Sequence, residues 1–547
     1  MKLTFVSIHC DRSPQAFPLA AAMLAAQISP DIETRLIDIY PNEPFEQSIR
    51  RILESNPSIL GFSVYLWNVD SIQRIAAEIH RRNPRTILIA GGPEVTADAD
   101  NFDPEGLFTA LFAGEGEENL KTFLTMAQEG ILHGTTERIF RQKTALDVTA
   151  FDSPFLKKIV NISLYDGILW ELSRGCIFNC SFCFESRGIR KVRDFPFDQL
   201  VQELDYFVSH GVTQIFILDP TFNLNPGRAK KLLHLFREKA PDIHFTFEIR
   251  SEFLDREMAG LFSNLTCSIQ LGLQSIHPEV LRAVNRQFNR EDFYDKILLL
   301  HEAGTVYGFD LIYGLPEDTY EGFCESLDFA LSLRPNHLDI FPLAVLKGTE
   351  LYDTAEKYSI VYSSSNPYTV LHTPGFSEQD IKKADKLARA CSLFYNKGEA
   401  VPWFSMFLER LNETPSSLLT GFTAYLEENE SGHIEPDTLS ILDIAEFQKD
   451  FMYSRFTEKS LKREGLAAVD IIQWFSGISF LNAHEEKTSC TLDFNFNIKT
   501  MVENIEMGID SLEEIAHFTE MTSCRGELYK SGGEVFTRII ESDSNIL

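Results

Sequence analysis

Over the first 130 or so residues, short apolar runs alternate with stretches whose apolar positions recur every three or four residues. The runs 3–8, 34–38, 59–65, 86–90 and 107–113 have the length of strands, and 16–27, 45–54, 69–82 and 118–129 carry the period of amphipathic helices. Regular strand–helix alternation predicts a parallel sheet with helices on both faces. Such sheets take ligands at the carboxyl ends of their strands. Three of those ends carry small residues: Ser63, the pair Gly91-Gly92, and Gly114 with Gly116. Glycine there permits tight turns and close approach of backbone. Between 131 and 165 the periodicity fades; 139–141 reads as a further strand and 152–155 as a connector.

Alternation resumes at 168. Strands are expected at 168–172, 214–218, 244–249, 267–273, 307–313 and 337–341, with helices at 198–210, 227–239, 288–303 and 320–332 between them. Six such units predict a partial barrel, open on one side, with its chemistry on the loops at the carboxyl ends of the strands. Beyond 374 the pattern turns helical (378–395, 439–453, 503–516) with one strand-like alternation at 493–498. The expected α/β organisation is a doubly wound, Rossmann-like domain over 1–135, a linker over 136–165, a partial (β/α)6 barrel over 166–373, and a mainly helical domain over 374–547.

Composition narrows the setting. A chain of 547 residues exceeds one ordinary hydrophobic core. Eighty acidic against fifty basic residues give a formal net charge of -30, which opposes binding to phosphate backbones and favours solubility. No nucleic-acid partner is expected. The nine cysteines comprise one cluster of three and six scattered residues, which is no disulfide framework and suits a reducing, cytoplasmic compartment. The opening strand is too short and too soon polar for a signal peptide, and no uninterrupted apolar run reaches membrane-spanning length, so no membrane partner is expected.

The informative cluster is Cys176, Cys180 and Cys183, spaced C-x3-C-x2-C on the loop that follows the strand at 168–172. Three thiolates at this spacing can ligate three irons of a [4Fe–4S] cluster and leave the fourth iron open to a small molecule. The competing readings are a chance grouping and a zinc site. Structural zinc usually takes four protein ligands, whereas the next cysteine is Cys267 and no histidine follows closely.

With Phe182 placed just before the third cysteine, the motif resembles that of the radical S-adenosylmethionine (SAM) superfamily. The resemblance implies that SAM chelates the open iron through its amino and carboxylate groups. It is then cleaved by one electron to methionine and a 5′-deoxyadenosyl radical, with Phe182 near the adenine. It further implies cofactor-binding roles at successive strand ends. Asp219 would take the SAM ammonium, and Glu248 the ribose or ammonium with Arg250 balancing it. In Gly272-Leu-Gln-Ser275, Gln274 would face the ribose. Arg286 would grip the carboxylate, and the backbone around Gly314 would support adenine.

The first region resembles the cobalamin-binding domain that precedes many radical SAM cores. There Ser63, Gly91 and Gly92 would line the pocket for the cofactor's dimethylbenzimidazole tail. The D-x-H-x-x-G signature of histidine-ligated cobalamin is missing: His9 lies in Ser7-Ile-His-Cys-Asp-Arg-Ser-Pro14, without the aspartate before it or the glycine after it. Cobalamin would therefore bind base-off, without histidine ligation; the same glycines also suit a vestigial pocket.

The expected activity is a radical SAM enzyme, with cobalamin, that could transfer methyl to an unactivated carbon. Its electron donor would be a flavodoxin or ferredoxin, and its substrate is unspecified. The alternatives are a cobalamin-independent radical SAM oxidoreductase or cyclase, and a non-catalytic, metal-stabilised scaffold.

Overall fold

Both alternating regions fold as parallel sheets in the computed structural model, which describes residues 1–134, 138–142, 144–186, 190–429 and 439–542. The expected boundary at 135/136 and the last residues of the chain lie outside the described residues.

The first sheet holds six parallel strands: Lys2–Ile8, Glu33–Ile39, Ile59–Ser63, Ile87–Gly91, Ala110–Ala113 and Ile139–Arg141. The first strand sits between the second and third, and the others follow in chain order. Strand order therefore reverses between Lys2–Ile8 and Ile59–Ser63, the switch point where sheets of this kind open a ligand crevice. Helices Phe45–Glu54 and Val69–Arg82 bury their isoleucines on one face, and Leu19–Ala26 and Glu117–Gln128 cover the other. The helix expected from 16 begins only at Leu19. Pro18 precedes it, and a residue before proline is pushed out of helical conformation.

The second sheet is a six-stranded parallel array in chain order: Ile168–Trp170, Gln214–Ile217, His244–Ile249, Cys267–Gln274, Val306–Tyr313 and His337–Pro342. Its two edge strands do not pair with each other, which leaves a partial barrel. Side chains alternate strictly. Phe245, Phe247 and Ile249, then Ile269, Leu271 and Leu273, then Phe309 and Leu311, meet the outer helices. Glu248, Gln270 and Asp310 project to the inner face. That face is open: Leu218 and Phe341 are 43% and 50% exposed.

The stretch between the sheets is packed rather than loose. Phe151, Phe155, Val160 and Ile162 join one core with Phe17, Met23, Trp170 and Phe207. Gln27 clasps the backbone of Asp152 in both directions.

The last region is mainly helical, with corrections. The expected strand at 493–498 is Ser489–Phe494, because Asn497 caps the helix Ile498–Glu506. The helix expected over 503–516 is two, interrupted at Gly508 (φ +88°) and restarted by the cap Ser511. A hairpin, Cys524–Ser531 and Glu534–Ser542, joins Ser489–Phe494 in a three-stranded antiparallel sheet. Its turn, Gly532-Gly533 with both φ positive, is a two-residue hairpin signal the sequence carries openly.

Helix Lys462–Ala483 is the one described helix long and apolar enough to cross a membrane by length and composition. Within this fold it packs against Ile441–Glu458, and its fully buried Asp470 accepts hydrogen bonds from the backbone of Asn495 and Phe496.

Candidate functional site

The cysteine loop leaves the first strand of the barrel and is tied down at every step. Ser173–Arg174 pairs with Arg193–Asp194. Gly175 then turns with φ +98°, and a Cβ there would lie 2.5 Å from the Lys191 carbonyl. Ser181 N–H donates to Val284 O (3.1 Å), and Leu351 N–H donates to Ser181 O (2.8 Å). Asn179 Nδ2 donates to Glu350 Oε2 at 3.4 Å. Phe182 packs on an apolar cluster that includes Val284, Leu315, Leu343 and Leu351.

Asp219 is nearly fully buried and braces the loop's entry. Its Oδ1 accepts from Leu172 N (2.8 Å) and Ser173 N (3.0 Å), and its Oδ2 accepts from the Ser173 hydroxyl (2.5 Å). Burial outweighs these bonds and pushes its pKa up to about 6. Both oxygens are engaged by the protein itself.

Arg250 lies across the Phe178 ring, 3.9 Å from its centroid, and binds Glu252 at 2.5 Å rather than Glu248. Asn223 fixes the Arg250 backbone on both sides. The Glu248 carboxylate makes no hydrogen bond among the described residues. Protein walls desolvate it and, with Glu185, raise its pKa, although it remains open to the barrel interior.

Gln274 and Arg286 form one unit. At the register shift between Gly272 and Gln274 the backbone of Gln274 turns to φ +69°. Its amide folds over Gly272, with Nε2 2.5 Å from where a Cβ at Gly272 would stand. Arg286 Nη2 donates to Gly272 O at 2.6 Å. Burial lowers the pKa of Arg286, with Cys180, Glu252 and Cys183 acting against that and Arg250 with it. Gln274 Oε1 is buried without a hydrogen-bond partner among the described residues. Gly314 (φ +80°) is closed over by Val370 and Ile381, 2.7 and 3.2 Å from where a Cβ would stand, so its outer side is filled by protein.

Sequence reasoning missed a polar line on the inner face. Gln270 Nε2 donates to Asp310 Oδ1 (2.6 Å) and Asp339 Oδ2 (3.4 Å), and His337 Nε2 lies 2.8 Å from Asp339 Oδ1. Gly308 leaves room for the Gln270 side chain, whose Oε1 would be 2.5 Å from a Cβ there. Burial, against the Gln270 bond, raises the Asp310 pKa to about 7. The signal available was the strict alternation of Gln270, Gly272, Gly308 and Asp310 opposite the apolar outward positions.

In the first domain Ser63 pairs in register with Gly91, and its hydroxyl makes no hydrogen bond among the described residues. Gly92 (φ +113°) admits the Val64 backbone, whose oxygen would lie 2.5 Å from a Cβ. His9 is committed elsewhere: Nε2 meets Asp38 Oδ1 at 2.7 Å, and the ring stacks on Tyr40. At the switch point Trp67 is 55% exposed, stacked on Tyr65 and bonded through Nε1 to Ile8 O.

The strand ends of the two sheets face each other. Arg174, two residues before Cys176, forks onto Glu171 and reaches Glu117 at 2.7 Å. Arg193 binds Glu115 through both terminal nitrogens. On the far side Lys347 meets Asp98, Tyr368 meets Glu94, and Asn366 meets Leu66 O.

The donor set suits an iron–sulfur cluster with SAM. Among the described residues no three His, Cys, Asp or Glu side chains converge on one metal ion. Thiolates that each bind a different iron of a cube need not converge on one point. Gln274 Oε1, without a hydrogen-bond partner among the described residues, and the buried Arg286 guanidinium are the kinds of acceptor and donor that a ribose and a carboxylate require.

Comparison with known proteins agrees. Radical SAM superfamily matches residues 170–330, B12 binding domain matches 12–124, and a family described as a protein of unknown function (DUF4080) matches 356–466. The chain is 27% identical over 347 residues to cobalamin-dependent radical SAM methyltransferase TokK of Streptomyces tokunonensis, covering 57% of this chain and 50% of that protein. It thus spans half the length of that relative. Among solved structures, the cobalamin-dependent SAM radical enzyme OxsB with aqua-cobalamin and SAM bound superposes with a TM-score of 0.57 at 16% identity, covering 94% of this chain and 82% of that one. The radical SAM methyltransferase TsrM of Kitasatospora setae gives 0.56 at 17% identity, covering 70% and 81%. At these identities the two structures establish the shared fold.

Proposed function

From a chain that carries a radical SAM domain behind a B12 binding domain, we propose a cobalamin-dependent radical SAM enzyme that transfers methyl to an unactivated carbon. One observation carries this reading: Arg174, on the strand leading into the cysteine loop, is bonded to Glu117 at the strand ends of the first domain, so the two cofactor regions share one interface. When bound, the cluster with SAM would supply hydrogen-abstracting chemistry, and cobalamin a methyl carrier.

The protein's part is to hold and orient. Cys176, Cys180 and Cys183 are the cluster ligands, and Phe182 anchors their loop in the apolar cluster beside the adenine site. Arg286 offers the SAM carboxylate a fork of donors, and Gln274 Oε1 accepts from a ribose hydroxyl. Glu248, whose carboxylate makes no hydrogen bond among the described residues, takes the ammonium. Asp219 keeps a supporting role, because its oxygens already hold Leu172 and Ser173. Arg250 supports the Phe178 side of the loop, and Gly314 lets the 370–381 segment close on the barrel. Ser63, Gly91 and Gly92 shape the end of the first sheet for the cobalamin tail. With His9 held by Asp38, the cofactor binds base-off without histidine. The working domain limits are 1–135, 166–373 and 374–547, and a flavodoxin or ferredoxin supplies the electron.

The test is anaerobic reconstitution with iron, sulfide and cobalamin, followed by iron and cobalt quantification and SAM cleavage under dithionite. Deoxyadenosine formation that is lost with cluster iron in Cys180→Ala, together with stoichiometric cobalt, is the expected result. Iron and cleavage without cobalt would return the chain to a cobalamin-independent reaction. Zinc with intact SAM would overturn the reading.

A further inference from the structure

Ser181 stands between two of the cysteines, 3% exposed, and its hydroxyl has no hydrogen-bond partner among the described residues. Its backbone is satisfied on both sides, by Val284 O and Leu351 N, so the residue is pinned while its side chain is left over. Val284 belongs to the same turn as Arg286: both backbone N–H groups donate to Leu281 O, and the Arg286 guanidinium donates to Gly272 O. The hydroxyl therefore lies where the cysteine loop is tied to the turn that carries Arg286.

A buried hydroxyl with no acceptor costs about 1–3 kcal/mol. A valine-sized or smaller apolar residue would avoid that cost, so an acceptor is to be expected in the loaded protein. Thiolate and sulfide sulfurs are such acceptors, and hydrogen bonds to them raise the reduction potential of an iron–sulfur cluster by stabilising its more negative, reduced state.

We propose that the Ser181 hydroxyl donates a hydrogen bond to a sulfur of the cluster or of its cysteine ligands, and so acts as a positioning residue that sets the cluster's reduction potential. This rests on the cluster reading given above.

The experiment is a potentiometric titration, followed by electron paramagnetic resonance, of reconstituted full-length wild type, Ser181→Ala and Ser181→Thr without SAM. Thermal unfolding of the three cluster-free proteins accompanies it. Ser181→Ala should take up the same iron but become harder to reduce by about tenfold in equilibrium constant, 59 mV for one electron. Ser181→Thr, which keeps the hydroxyl, should stay near wild type. The cluster-free alanine variant should be as stable as wild type or more so, because it removes an unsatisfied group. An unchanged potential in Ser181→Ala would overturn the proposal, as would a cluster-free variant that is markedly less stable. A wild type that binds no iron–sulfur cluster would instead overturn the cluster reading on which the proposal stands.

Discussion

Asp219 shows how one side chain can brace the entry to the cysteine loop. It collects three donors from Leu172 and Ser173, the residues that launch the cysteine loop. Asp219→Ala leaves two backbone N–H groups and a hydroxyl without acceptors. The expected cost is about 3 kcal/mol, read by urea unfolding, together with loss of iron on gel filtration. Asp219→Asn should recover most of both, since its oxygen still serves the two N–H groups and Ser173 can reverse its hydroxyl to accept. Had Asp219 served the SAM ammonium as its main role, the asparagine variant would instead bind SAM poorly while keeping its stability. The sequence placed Asp219 at the right strand end; which of several neighbours takes the carboxylate is a matter of tenths of an ångström in the folded loop.

At the scale of elements, turns decide where the sheets can receive anything. Gly92 begins the short helix Pro93–Ala97 and lets Val64 close on the fourth strand. Any side chain there meets both a positive φ and the Val64 backbone. Gly92→Ala should destabilise the first domain by about 3 kcal/mol, seen as an earlier unfolding step in denaturant, and should lower cobalt retention. Gly130, also at positive φ, has nothing within reach of an added Cβ. Its alanine variant should show only the smaller conformational cost. At the other end of the molecule a π-helical turn, Ser392–Lys397, projects Asn396, which bonds both backbone groups of Leu338 on the edge strand. Gln448 satisfies the carbonyls of Phe394 and Gly398 that this turn leaves over. The C-terminal region thus covers an exposed sheet edge, a reason for its being there that the helical period of 378–395 does not disclose.

For the molecule as a whole, the two sheets share an apolar core through Phe17, Met23 and Trp170, and at their strand ends they meet through ionic, mostly buried pairs. Glu117→Ala removes one partner of Arg174, whose side chain is 18% exposed. Breaking a buried pair typically costs about 3–5 kcal/mol. Here Glu171 still holds the arginine, so the lower end is expected, with faster amide exchange confined to 114–117 and 173–176.

Stability should also follow pH through Asp470, whose pKa burial raises from 3.8 to about 6. The folded state holds that proton more tightly than the unfolded chain. Its stabilising contribution is therefore complete below pH 3.8 and is lost as pH rises through about 6. The loss amounts to about 3 kcal/mol, because each tenfold difference in proton affinity between the folded and unfolded states is worth about 1.4 kcal/mol. In Asp470→Asn the unfolding free energy should lose this fall between pH 4 and 6 relative to wild type, whatever its absolute stability.

What the sequence determined alone is the part that depends on period and spacing. Alternating strand and helix patterns specify both parallel sheets, because residues two apart share a strand face and residues three or four apart share a helix face. C-x3-C-x2-C marks the candidate cluster loop, because its three cysteines are neighbours in the chain. The tertiary structure alone decided the partner each polar side chain takes: Arg250 with Glu252 and Phe178, Gln270 bridging Asp310 and Asp339, Arg174 reaching Glu117, and the Ser181 hydroxyl left with none among the described residues. Each of these depends on register, on a positive-φ turn or on which side chain arrives first at a buried atom. Those outcomes are settled by packing the whole chain, and no local pattern encodes them.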